Sequence, residues 1–149
     1  IDAYQRQLLQ RFEQLGLQAH VSLIPGLAAV EPLLRGAYPA AEVFALPSLH
    51  EPVGIVVLVA WAAGLPVVAA RVGGIPSFTC HGENVLHAGP HHWESLAQQL
   101  LKVIGNRQLA NRLAENGSRL AREKYDWRVV SRQLTALYQD LVNNRRPGP

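Results

Sequence analysis

One stretch restricts this chain more than any other: residues 41–77, AEVFALPSLHEPVGIVVLVAWAAGLPVVAARVGGIPS. Within it, residues 55–63 are apolar at every position, so periodicity alone assigns them to neither helix nor strand. The punctuation decides. Gly64 just past the run, with Pro66 beyond it, is the ending of a helix. Residues 42–46 before it and 66–70 after it are short apolar runs, stopped by Pro47-Ser48 and by Gly73-Gly74. Each reads as a strand. Two strands joined by a fully buried helix make a βαβ unit, with parallel strands covered on both faces.

Open parallel sheets take ligands at the carboxyl ends of their strands. The loop after the first strand, residues 47–54, and the turn after the second, residues 71–77, therefore share one edge. Glycine and proline in both let a backbone approach a ligand closely. The first loop also feeds a helix start, where free N–H groups and the helix dipole favour a phosphate. Glu51 is the one carboxylate in either loop. It is a poor neighbour for phosphate and a good acceptor for sugar hydroxyls. A phosphate site with a carboxylate beside it points to a sugar phosphate or a nucleotide-sugar.

At PSLHEPVGIVVLVAWAAGLPVVAARVGGIPS, with HGENVLHAGP behind it, the chain also resembles a family. It is similar to the donor-binding domain of retaining, nucleotide-sugar-dependent glycosyltransferases of two-domain (GT-B) architecture, glycosyl transferases group 1 type. The likeness spans residues 4–138 and rests on several spaced motifs. A composite of this kind is far more specific than any single glycine motif. It implies an α/β fold, a Rossmann-like parallel sheet flanked by helices, and an incomplete one. The family's domain begins with two further strands, which carry a basic pair that neutralises the donor diphosphate. Between Arg35 and Lys102 this chain has only Arg71. The family's strand order would leave a hole beside residues 42–46, and open sheet edges invite self-association.

The resemblance also implies roles. Glu51 would hold donor-sugar hydroxyls, and the amides around Val53, Gly54 and Ile55 the sugar and phosphates, with Gly73 and Gly74 alongside. Those two glycines serve equally well as a tight turn. Ile24, Pro25 and Gly26 match the segment bordering the nucleotide base. Val59 stands where the family has a second Glu for ribose hydroxyls, a task valine cannot perform. Ser77 replaces another family carboxylate, and the late glycine of the family falls at Val85 or Leu86. No residue is assigned to catalysis, no metal or cofactor is expected, and the acceptor-binding domain would be a missing N-terminal partner. The implied function is sugar transfer from a nucleotide-sugar to a glycan, lipid or small-molecule acceptor, as in polysaccharide biosynthesis. A non-catalytic nucleotide-sugar-binding module is the alternative, favoured by Val59 and Ser77; a sugar-nucleotide epimerase of the same architecture is a third reading. The fragment alone is expected to be inactive.

Composition bounds the remainder. With 149 residues, 48% hydrophobic and 17% charged, the chain is long and apolar enough for one folded domain. The expected division is 1–142 as a partial donor-binding domain and 143–149 as a basic tail. Its net charge of +3 comes without an aromatic-interleaved basic stripe, so no nucleic-acid partner is expected. The apolar run of residues 55–63 is about half the ~20 residues of a membrane span. A single cysteine closes no internal disulfide. The default is a cytoplasmic protein, with peripheral membrane contact through Arg145-Arg146 as an added option. The absence of methionine and the start at Ile1 read as a piece of a longer chain.

Elsewhere the reading is coarse. It expects helices over residues 2–15, 30–35 (opened by Pro32), 93–104, 106–124 and 126 onward, and strands over 19–24 and 85–87. Asn106 and Asp126 are the expected caps, and Gly117 a weak point. Trp93, Leu96, Ala97, Leu100, Leu101 and Ile104 should face the core, as should Val130, Leu134, Leu137, Tyr138 and Leu141. His91-His92, being adjacent, make a poor metal pair, and Cys80-His81 lacks a second ligand pair at zinc spacing.

Overall fold

The computed structural model describes residues 3–24, 26–28 and 31–144. Residue contacts divide the chain into two units, residues 1–35 and 36–149. The first carries helix α1 (Ala3–Gln14). Gly16, at φ 65, ends it, and the Leu17 N–H reaches back to the Phe12 carbonyl at 2.9 Å. A glycine of positive φ is a usual helix stop. Leu8 and Phe12 are half-buried, whereas Tyr4 and Leu15 are exposed. The strand expected at 19–24 is absent. Residues 18–20 turn, with His20 and Val21 N–H bonded to the Leu17 carbonyl. A strand exists only against a partner, and no other strand forms among the described residues of this unit.

Helix α2 (Pro32–Ala40) follows. Pro32 opens it as expected, because its missing N–H is unneeded in a first turn. It runs five residues past the expected end at Arg35 and takes in Tyr38-Pro39. Tyr38 stacks on Phe44 at 5.8 Å and packs on the core.

The second unit holds the parallel sheet. Strands β1 (Phe44–Leu46), β2 (Val67–Ala70) and β3 (Leu86–Ala88) lie in that order, with Ala45 beside Val68 and Val68 beside Leu86. Alternation sorts β2 between two cores. Val67 and Ala69 pack with Trp61, Val57 and Ile75 beneath helix α3 (Ile55–Ala62). Val68 packs with Leu86, Val103 and Leu113 beneath helices α4 (Trp93–Ile104) and α5 (Arg107–Leu120). All four β2 side chains are buried, as a parallel strand covered on both faces requires.

Helix α3 is confirmed, with Gly64 at φ 79 and Leu65 N–H returning to the Ala60 carbonyl at 3.0 Å. It is not fully buried. Val57, Ala60 and Trp61 face the core, while Ile55, Val56 and Val59 are exposed. The sheet, α5 and the π turn at residues 121–125 cover one part of the helix surface, and the stripe of Ile55, Val56 and Val59 stays outside it.

The same geometry corrects α4. Leu96, Leu100 and Val103 face the core, whereas Trp93, Leu101 and Ile104 are exposed and Ala97 lies off the packed stripe. The helix has two apolar stripes and the sheet takes one. Asn106 caps α5, its Oδ1 accepting from the Leu109 N–H at 2.9 Å. The regular helix stops at Leu120 and widens into a π turn, Ala121–Tyr125. That turn sets the Tyr125 ring edge-on to Phe78, 6.0 Å away. Asp126 then caps helix α6 (Trp127–Asn144) through the Arg128 N–H at 2.8 Å. Val130 is half-buried, but Leu134, Leu137, Tyr138 and Leu141 are exposed, so that stripe is not core. Most of the basic tail, from residue 145, lies outside the described residues. No described helix is long and apolar enough to cross a membrane.

Candidate functional site

The carboxyl ends of the strands bring the two glycine-bearing loops together, and they interlock. Glu51 closes its own loop: Oε1 accepts from the Gly54 N–H at 3.0 Å, and Oε2 from the Ser48 hydroxyl at 3.5 Å. The Glu51 carbonyl accepts from the Gly74 N–H at 2.9 Å. A Cβ on Gly73 would strike the Glu51 carbonyl oxygen, and one on Gly74 the Pro52 carbonyl oxygen. Here two backbones touch, which only glycine permits. Gly54 has φ 84 and faces the buried Ile75 side chain, so a Cβ there would meet the Ile75 Cδ1. The loop is therefore set by Gly54 from below and by Gly73-Gly74 from the side.

This arrangement leads directly into α3. Val57 N–H bonds the Gly54 carbonyl at 2.9 Å, and the Gly54 N–H is taken by Glu51. By helix geometry the first-turn amides of Ile55 and Val56 have no partner inside the helix. They are the donors the site offers an anion. Glu51 has about four acceptor positions, two of them used within the loop, so two remain for hydroxyl groups. Val53 is exposed beside them. Val59, one turn further along α3, is also exposed and presents only methyl groups. Ser77 is turned back on its own segment, donating to the Gly74 carbonyl at 2.6 Å. Arg71 directly follows β2, which puts a cation at this edge. Of the expected nucleotide-bordering residues, Ile24 and Gly26 are exposed and lie in the first unit; Pro25 lies outside the described residues.

Two features escaped the sequence reading. One is a histidine pair behind the Gly73-Gly74 turn. Thr79 donates its hydroxyl hydrogen to the Ile75 carbonyl at 2.6 Å, so it must accept from the His87 Nε2–H, 2.8 Å away. The His87 backbone N–H in turn donates to His81 Nδ1 at 2.9 Å. Burial, helped by the nearby His81 and Arg71, pushes the His87 imidazole down to about 4. The ring is a neutral structural link. The other is a cavity of about 210 Å³, lined by Pro47, Leu49, Ala70, Ala88, His92 and Trp93 among others. The sequence signal for it was the small residues that end β2 and β3. Among the described residues no three His, Cys, Asp or Glu side chains gather to hold a metal ion.

Residues 2–120 match the family model of glycosyl transferases group 1. The chain belongs to that family. D-inositol 3-phosphate glycosyltransferase of Corynebacterium glutamicum (strain R) is 33% identical over 132 residues, 89% of this chain and 31% of the relative. Sucrose-phosphate synthase of Thermosynechococcus elongatus superposes with a TM-score of 0.82 at 27% identity, over 95% of this chain and 35% of that one. HepE of Anabaena, crystallised in complex with UDP-glucose, gives 0.82 at 27% identity, over 92% and 37%. The group 1 chain thus spans about a third of the length of these relatives.

Proposed function

We propose that this chain is the donor-binding part of a glycosyltransferase that moves a sugar from a nucleotide-sugar to an acceptor with retention. The observation that carries the reading is the interlock of the Glu51 loop with the Gly73-Gly74 turn over the start of α3. It sets directed N–H donors at Ile55 and Val56 beside a carboxylate with free lone pairs. Those are the two chemistries a sugar diphosphate presents. UDP-glucose, with which HepE was crystallised, belongs to that class. In this reading Glu51 holds sugar hydroxyls and the α3 amides hold the diphosphate, with Val53, Gly54, Gly73 and Gly74 shaping the floor. Neither a metal nor a cofactor is required, because helix-start amides supply the positive end.

Transfer itself needs more than this. The retained loops offer one cation, Arg71, and no acceptor site with a base, while positioning and charge neutralisation carry such a reaction. The acceptor-binding groups are therefore placed in the rest of the parent protein, and residues 1–149 alone bind without turnover. A second reading, donor binding in a protein that does not transfer, is favoured by Val59 and by Ser77, whose hydroxyl is turned onto Gly74.

Thermal unfolding with a panel of nucleoside diphosphates and nucleotide-sugars tests the proposal, since a ligand that binds only the native state raises its stability. The expected result is a concentration-dependent rise with nucleotide-sugars, lost in Gly74→Ala. No rise with any member of the panel overturns donor binding. Sugar transfer by residues 1–149 above a Glu51→Ala control overturns the placement of catalysis elsewhere.

A further inference from the structure

Behind the Gly73-Gly74 turn, a chain of contacts runs from β3 to the Glu51 loop. It starts at His87, whose Nε2–H donates to the Thr79 hydroxyl oxygen at 2.8 Å. Thr79 is 6% exposed and gives its own hydroxyl hydrogen to the Ile75 carbonyl at 2.6 Å. The other donor to that carbonyl, the Phe78 N–H, stands at 3.4 Å, beyond the roughly 2.7–3.2 Å of a good N–H···O bond. The hydroxyl is thus the shorter hold on the Ile75 backbone. The Ile75 side chain is fully buried, and its Cδ1 fills the space that a Cβ on Gly54 would need. Gly54 in turn donates its N–H to Glu51 Oε1 at 3.0 Å and leads into α3.

We propose that Thr79 is a positioning residue for the donor loop. With His87 behind it, the hydroxyl fixes Ile75, and Ile75 fixes the place of Gly54. The direction of the Glu51 carboxylate and of the first α3 amides follows from Gly54. A hydroxyl is needed at position 79 because two polar groups meet it from opposite sides, an acceptor at Ile75 and a donor at His87. Valine has the same shape and can serve neither. A buried donor or acceptor left unpaired bears its full desolvation cost, so the segment shifts to regain partners and Ile75 moves with it. Serine keeps both bonds. The short turn Ile75–Ser77 explains the need: three residues close too few bonds of their own to hold the segment. The effect on donor affinity rests on the donor reading; the effect on the loop does not.

Titration of the 149-residue chain with UDP-glucose, followed by ¹H–¹⁵N NMR at a temperature where each variant is folded, tests both parts separately. Thr79→Val should move the Gly54 amide resonance before any ligand is added, and weaken UDP-glucose by ~fivefold or more. Thr79→Ser should restore the wild-type Gly54 resonance and bring the affinity back to within about twofold. His87→Phe keeps a ring and removes the donor to Thr79, so it should displace the Gly54 resonance too; it carries the test if Thr79→Val does not fold. Val103→Ala, in the core on the other face of the sheet, removes buried methyl groups and reports what lost stability does alone. It should lower Tm and leave both the Gly54 resonance and the affinity as they are. A wild-type Gly54 resonance in Thr79→Val or His87→Phe, no rescue by serine, or an equal effect of Val103→Ala overturns the positioning role. If UDP-glucose shifts no wild-type amide, the donor reading fails and the affinity effect with it, while the ligand-free Gly54 resonance still decides whether Thr79 sets the loop.

Discussion

Gly117 of α5 lies flat against the indole of Trp61 on α3, so close that a Cβ on the glycine would strike the ring at Cδ1 and Nε1. The ring cannot retreat. It is fully buried, its Nε1–H donates to the Asn84 carbonyl at 3.1 Å, and Phe78 meets it edge-on at 5.7 Å. One contact thus joins two helices, the β3 approach and the segment after the Gly73-Gly74 turn.

The first prediction follows from that contact. Gly117→Ala should destabilise the fold, although alanine is the better helix former by about 1 kcal/mol. Overpacking a filled core costs about 1–3 kcal/mol, and the net loss should lower Tm by several degrees at the usual rate of about 2–4 °C per kcal/mol for a chain of this length. Gly36→Ala, inside α2 with ordinary φ and open space around it, is the comparison, and it should hold or raise Tm. Equal or higher Tm for Gly117→Ala, measured by circular dichroism, contradicts the packing argument.

A second prediction separates binding from stability. A Cβ on Gly74 would push against the Pro52 backbone, and no rotamer change relieves a clash with a carbonyl. The loop holding Glu51 must move, and with it the acceptor set beside the α3 amides. Gly74→Ala should weaken nucleotide-sugar binding by ~tenfold or more, equivalent to about 1.4 kcal/mol. Calorimetry that finds wild-type affinity removes the interlock from the binding site.

The third concerns acid. The His87 pKa is lowered in the fold, from 6.5 to about 4, so between those values the unfolded chain binds the extra proton. Stability is then fully present above about 6.5 and declines as pH falls toward about 4. The half-buried ring limits the effect through solvent screening to on the order of 1 kcal/mol. Urea unfolding at about pH 7 and about pH 4.5, on either side of the ordinary histidine range, should show this loss in the wild type and a smaller one in His87→Gln. The same pH slope in both proteins assigns the acid sensitivity to other groups.

The βαβ unit was legible because its signals are local: an apolar run, a glycine stop and two short strands bounded by proline and glycine. The position of Glu51 at the carboxyl edge was legible for the same reason. What escaped depends on partners. Residues 19–24 have β-prone composition, but no strand forms among the described residues of their unit, and residues 18–20 turn instead. Trp93, Leu101 and Ile104 are as apolar as Leu96 and Leu100, and nothing in a single sequence says which stripe the sheet will take. Gly117 looked like a helix defect because Trp61 is 56 residues away in the chain. The cavity was hidden too, since it is made by the smallness of Ala70 and Ala88 at strand ends brought together only by the fold.

The last prediction concerns Glu51 itself. Its Oε1 already accepts from the Gly54 N–H, and a glutamine at this position keeps that acceptor, so Glu51→Gln should leave the loop in place. What it removes is charge. A hydrogen bond to a charged group is worth roughly 1.5–3 kcal/mol and a neutral one about 0.5–1.5. The loss of about 1 kcal/mol should weaken a nucleotide-sugar by around fivefold. The bare nucleoside diphosphate, held by the Ile55 and Val56 amides, should bind Glu51→Gln as well as the wild type, or slightly better once a carboxylate no longer faces it. Glu51→Ala differs, since it releases Gly54 and should weaken both ligands. Calorimetric titration of UDP and UDP-glucose against the three proteins, with and without magnesium, distinguishes these cases. If Glu51→Gln weakens UDP as much as UDP-glucose, or if binding requires magnesium, Glu51 is not a sugar-hydroxyl acceptor.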